Sequence, residues 1–199
     1  MAPTMEALGV DAGVALERAP DARSVQHVLR RSLSGLGFAA VWGLAAGSAA
    51  PALAVANIYK VPMVLALSAV VALPAVLVTR YLLRVAIPTF ELCAAFVTSL
   101  YRASLLLLAF APLLAVYAYT SQWVAPWLAQ GSALLALVCG GLSLRSELAR
   151  LAAPRLQLWL LGGVTIITLA LALLQLVSLA TPVLTLPTVF GSGIDGVLR

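Results

Sequence analysis

The chain has 199 residues, of which 63% are hydrophobic and 10% charged, with a formal net charge of +5. Average soluble domains carry about 45–50% apolar and about 25% charged residues, so too few charged side chains are present to build a water-facing surface. A soluble domain, a disordered chain and a disulfide-stapled secreted scaffold are excluded, the last because there are two cysteines.

Residues 1–31 carry Glu6, Asp11, Glu17 and Asp21 and are too polar for the core of a signal peptide, so they read as a retained cytoplasmic N-terminal tail. Val25, Val28, Leu29 and Leu33 hint at a short amphipathic helix leading into the membrane. A transmembrane unit over 32–180 follows. Five apolar runs in it reach the roughly 17–25 residues a helix needs to cross about 30 Å of hydrocarbon. They cover about 33–56, 61–79, 103–119, 124–144 and 156–180. A spanning backbone must bond to itself, and no period-two barrel pattern is present. The expectation is an all-α, polytopic integral membrane protein with five transmembrane helices.

Before the third run, Pro88-Thr89 reads as a helix start, with Thr89 as the cap and Glu91 in the first turn, where the helix dipole favours an anion. Phe90, Cys93, Val97, Leu100 and Tyr101 recur at helical spacing, giving an amphipathic helix over 89–102, while Glu91, Thr98 and Arg102 share a separate stripe. A continuous helix from Thr89 to Tyr119 would be about 46 Å long at about 1.5 Å per residue. Its first turns would then form an interfacial or cytoplasmic extension of helix 3. Residues 181–199, including Leu184, Leu186, Val189 and Phe190, form an extracytoplasmic tail too apolar for a free linker. It is expected to lie on the outer leaflet, re-enter the bundle or dock on a partner.

Orientation follows from the basic residues. Arg18, Arg23, Arg30, Arg31, Arg80, Arg84, Arg102, Arg145, Arg150 and Arg155 fall in the N-terminal segment and in alternate connections; only Lys60 and Arg199 fall on the other side. The positive-inside rule therefore places the N-terminus in the cytoplasm and the C-terminus outside a bacterial inner membrane. An odd number of helices likewise puts the termini on opposite sides. These basic residues stand at the ends of apolar runs and form no dense patch, so the expected partner is the lipid bilayer and not nucleic acid. Aromatic residues agree: Tyr59, Tyr117, Tyr119, Trp123 and Trp127 mark the outer ends, Tyr81, Tyr101 and Trp159 the inner ends, and Trp42 alone falls near mid-span.

Candidate chemistry is sparse. No ionisable residue falls in the middle of a predicted run, which disfavours a carboxylate relay. His27 is the only histidine and has no partner at triad or metal spacing, and Cys93 and Cys139 stand far apart, so neither an enzyme, a metal nor a cofactor is expected. Ala39, Gly43 and Gly47 form a small-xxx-small face for close helix packing, within the bundle or in a homo-oligomer. Pro51, Pro62, Pro74, Pro112 and Pro126 imply kinks or unwound ends in helices one to four.

The most distinctive string is Ala56-Asn57-Ile58-Tyr59-Lys60-Val61-Pro62, expected at the outer turn between helices one and two. There Lys60 would snorkel, cap helix one, contact a partner or line a wet vestibule, with Asn57 and Tyr59 beside it. With Pro74 in the following helix, the Lys60-Val61-Pro62 start of the second span resembles a loosely defined group of bacterial five-span membrane proteins, itself distantly similar to the YIP family of Rab-interacting membrane proteins. The resemblance implies a five-span architecture and a non-enzymatic membrane role, and no catalytic residue. Two functions follow as expectations. One is an integral scaffold or accessory subunit of a larger membrane complex, working through helix packing and docking of its appendages. The other is a small channel with proline-broken helices and Lys60 at the outer mouth. Partner or packing residues would be Gly43, Gly47, Asn57, Tyr59, Lys60, Pro62, Pro74, Glu91, Arg102 and Phe190.

Overall fold

Gly47 followed four residues later by Pro51 is the glycine-after, proline-before pattern that ends one helix and starts the next. The first apolar run breaks there. In the computed structural model, which describes residues 21–85, 87–121, 123–151 and 155–179, α1 (Ala22–Ala46) is capped by Gly47, and α2 (Pro51–Leu82) has its proline in the first turn. Three more helices follow: α3 (Thr89–Thr120), α4 (Val124–Arg150) and α5 (Arg155–Leu179). No strand occurs among the described residues. Residues 1–20 and the tail at 181–199, with Phe190, lie outside them.

Four helices, not five, are long and apolar enough to cross a membrane: α2, α3, α4 and, over Leu156–Val177, α5. The expected first span is corrected because its apolar length is divided. Between Arg31 and the cap at Gly47, α1 keeps only the stretch 32–46, and 51–56 belongs to α2. The expected turn at 56–62 is therefore a stretch of continuous helix. Helix α2 is 32 residues long, about 48 Å, and runs through Pro62 and Pro74 without interruption, as α3 does through Pro112. Each proline lacks the N–H that would have bonded the carbonyl four residues back, at Ile58, Val70 and Leu108.

Helix α3 is one 32-residue helix, as its conditional length required, but Thr89 is not its cap. Pro88 occupies that position with extended geometry and no side-chain bond, and the Thr89 hydroxyl accepts from Arg80 of α2 instead. At the end of α2, Val85 N–H bonds Arg80 O and Arg84 N–H bonds Tyr81 O, both at 3.1 Å. This is a Schellman closure with Arg84 at the left-handed position, φ 49°, where glycine is usual.

Contacts give the helix directions. Arg31 meets Thr98, and Tyr119 on α3 donates to Ser48 O just past α1, so α1 and α3 run parallel. Gln157 at the start of α5 donates to Leu83 O at the end of α2 at 3.2 Å, and Arg102 of α3 reaches Ser143 near the end of α4. Helices α2 and α4 thus run opposite to the other three. Each helix packs mainly on two others, in the circular order α1, α2, α5, α4, α3.

Two apolar clusters hold the ring. One joins Val76, Val85, Ile87, Leu92, Phe96, Leu148 and Leu161 at the end where the arginines gather. The other joins Trp42, Ala45, Ala46, Ala111, Leu114 and Ala129 at the opposite end, without α5. The second cluster is built largely of alanines, so the backbones of α1, α3 and α4 approach closely there.

Candidate functional site

A chamber of about 570 Å³ lies inside the ring, and all five helices contribute to its wall. The wall is apolar, formed by Val64, Phe96, Leu107, Leu137 and Leu169 among others, with Ser99, Ser104, Thr165, Gln130 and Lys60 as its polar members. Most of these hydroxyls are bonded locally: Thr165 Oγ1 donates to Leu161 O and Ser99 Oγ to Phe96 O, both at 2.7 Å. Such back-bonding onto the own helix keeps a hydroxyl satisfied in an apolar setting and presents methyls or methylenes to the space. Trp42 forms part of the wall, with its indole N–H donating to Ser132 Oγ at 3.1 Å.

The chamber opens sideways. Helices α4 and α5 are in contact towards the arginine end, where a Cβ on Gly141 would stand 2.7 Å from Ile166 Cδ1 and Arg145 lies 3.9 Å above the Trp159 ring. Farther along, the wall residues Leu134 of α4 and Leu171 and Leu174 of α5 are 64%, 53% and 51% exposed. The seam between α4 and α5 is therefore the mouth, and it faces the direction a lipid or a neighbouring helix would occupy.

Close packing of α1 on α2 forms the opposite wall. A Cβ on Gly43 would fall 2.5 Å from Asn57 O and 2.9 Å from Val61 Cγ2; one on Gly47 would fall 2.7 Å from the Ala54 backbone. Both glycines thus face α2, and Asn57 is fully buried beside them. Lys60 lies in the chamber wall on the tenth residue of α2 and not in a turn. Tyr59 and Pro74 face outward, Pro62 is half-buried, and Glu91 is exposed on the first turn of α3.

The shared stripe of Glu91, Thr98 and Arg102 separates in three dimensions. Arg102 Nη2 pairs with Glu147 Oε1 at 2.8 Å and Nη1 donates to Ser143 Oγ at 2.7 Å, while Arg31 Nη1 donates to Thr98 Oγ1 at 2.7 Å. Ser143, Glu147, Ser132 and Trp42 were invisible as a set in the sequence, because each pair joins residues on different helices. One signal was present: Ser143 and Glu147 stand four apart, on one face of α4.

Compared with known proteins, the chain matches no family model, no curated protein and no solved structure.

Proposed function

We propose that the protein is a non-enzymatic integral membrane scaffold or accessory subunit, and that its chamber seats an apolar segment of a partner subunit. The observation that carries this reading is the chamber itself. The space, about 570 Å³ and lined mostly by apolar side chains from all five helices, is open to the surface and so is a groove that an apolar segment can enter. Its mouth lies on the lateral surface, at Leu134, Leu171 and Leu174. A soluble ligand would have to cross lipid to reach it, whereas a neighbouring transmembrane helix presents large apolar side chains at that depth. Charged and polar groups elsewhere in the ring hold its own helices together, as Arg102 with Glu147 and Trp42 with Ser132 illustrate.

In this reading the arginine-bearing end faces the cytoplasm and the end of α5 faces outward, in a bacterial inner membrane, following the positive-inside rule. Helix α1 then forms a hairpin with α2 whose turn lies at the outer end beside Tyr119, so its short apolar half passes alongside α3 in addition to the four long spans, with its Arg23–Arg31 half at the cytoplasmic surface.

One observation favours a small channel as the second reading: Lys60 and Gln130 line the chamber, where a cation would bias permeation towards anions. Photo-crosslinking from position 134 or 171 in native membranes separates the two. A stoichiometric polypeptide adduct, together with no flux from reconstituted protein, is the expected result. Protein that emerges alone, with anion flux in liposomes that Lys60→Ala changes, would overturn the scaffold reading.

A further inference from the structure

A second recess, of about 400 Å³, lies between the first turns of α1 and of α3 at the arginine end, away from the chamber. We propose that it binds the phosphate-bearing headgroup of an anionic phospholipid. Its α1 wall carries Arg23, His27 and Arg31, spaced four apart and so aligned on one helix face. Its α3 wall is Phe90, Ala94 and Thr98. The recess therefore has Arg23, His27 and Arg31 along one wall, over a lining surface that is mostly apolar.

Arg31 is fixed at its deep end. Its Nη1 donates to the buried Thr98 hydroxyl, which holds the guanidinium plane in place while a guanidinium offers five donors in all. A planar fork held in this way matches phosphate oxygens, and charge-assisted bonds of that kind are about twice as strong as neutral ones. Arg23 and His27 are exposed and reach the same space from two turns and one turn nearer the helix start, respectively. Asp21 and Glu91 stand nearby in sequence but are not among the lining residues, so among the described residues the lining carries two arginines and no carboxylate.

The apolar wall decides between sources of phosphate. Free phosphate gains nothing from Phe90, Ala94 and Val28, whereas the glycerol and first acyl carbons of a phospholipid would lie against them. Basic pockets between membrane helices on the cytoplasmic side are suited to such headgroups. This proposal needs only that the bundle sits in a bilayer, and it holds with or without a partner in the chamber.

The test is native mass spectrometry of the full-length protein in detergent, titrated with dioleoyl-phosphatidylglycerol or dioleoyl-phosphatidylcholine. Phosphatidylglycerol is expected to bind more tightly, Arg23→Gln to weaken it about fivefold, and His27→Gln to weaken it by less, through the lost ring N–H donor. Both residues are exposed, so the variants keep the wild-type melting temperature. Arg30→Gln removes the same charge from the adjacent position, which does not line the recess, and is expected to change binding less than twofold. Equal weakening by Arg30→Gln and Arg23→Gln would mean a diffuse field and would overturn the site. Equal affinity for the two lipids would do the same. Displacement of the lipid by excess inorganic phosphate would reassign the recess to the free anion and overturn the lipid proposal.

Discussion

Replacing Gly43 by alanine tests whether the α1–α2 hairpin is as close as the structure has it. The added Cβ would sit 2.5 Å from the backbone oxygen of Asn57, and 2.9 and 3.1 Å from Val61 Cγ2 and Cβ. Neither neighbour can rotate away, since one is main chain and the other a β-branched side chain with few rotamers in a helix. The helices must therefore separate, and overpacking of this kind costs about 1–3 kcal/mol, here towards the upper end. Alanine also gains about 1 kcal/mol of intrinsic helix propensity over glycine. That gain is cancelled by a control with the same chemistry and no clash: a Cβ on Gly131, in α4, meets nothing within 4 Å. The difference between the two variants isolates the packing cost, about 3 kcal/mol, which for a chain of this size is a melting-temperature gap of about 6–12 °C. Purified protein in detergent, heated and assayed for the monodisperse fraction, measures it. If Gly43→Ala melts at or above Gly131→Ala, the hairpin is looser than described and the reasoning fails.

Arg84→Gly is expected to raise the melting temperature by about 1–4 °C, because a non-glycine residue held at φ 49° costs about 1–2 kcal/mol and the added flexibility of the unfolded chain returns only part of that. Arg84→Ala should show no such gain, since it keeps the Cβ. Glu147→Gln should destabilise by about 1 kcal/mol, because Arg102 is 40% exposed while Glu147 is 18% exposed, and solvent screens the pair. A double-mutant cycle with Arg102→Gln should return a coupling of similar size, and a coupling near zero would refute a structural role for the pair. In a Cys93→Ala, Cys139→Ala background, a cysteine at Ser121 should be labelled from outside intact cells and one at Ala149 only after permeabilisation. The reverse pattern would invert the proposed orientation.

The all-α, multi-pass character was legible because it depends on composition and run length, and α4 and α5 begin at or beside the residues where their apolar runs begin. The length of α3 was legible too, from the continuity of its helical spacing across 102–103. Side-chain pairings were not, since Arg31 with Thr98 and Arg102 with Glu147 join residues 67 and about 45 positions apart in sequence. Local spacing carries no information about which helix lies opposite. The chamber was equally hidden. Its wall residues, such as Leu134, Ala170 and Val64, look in sequence like any lipid-facing apolar residue, and only the circular order of the helices brings them round a common space.

The instructive misreading concerns where the first hairpin turns. Two breaks compete in the sequence, Gly47 to Pro51 and Asn57 to Pro62, and the second carries the more conspicuous interfacial residues. Packing favours the first. A turn at 47–50 brings Gly43 against Asn57 and Gly47 against Ala54, so that both glycines lie where a Cβ could not fit. A turn at 57–61 would leave both facing lipid or another helix and discard that close approach. Pro62 is tolerated in the helix interior because a proline removes one donor without preventing continuation where the neighbouring helices hold the backbone. The consequence reaches function. In a turn, Lys60 would be an interfacial cation with its ammonium in water. Ten residues into α2, it is a wall residue of an apolar chamber and the one cation of the described chain on that wall, which is why its substitution discriminates between a seat for a partner and a path for an anion.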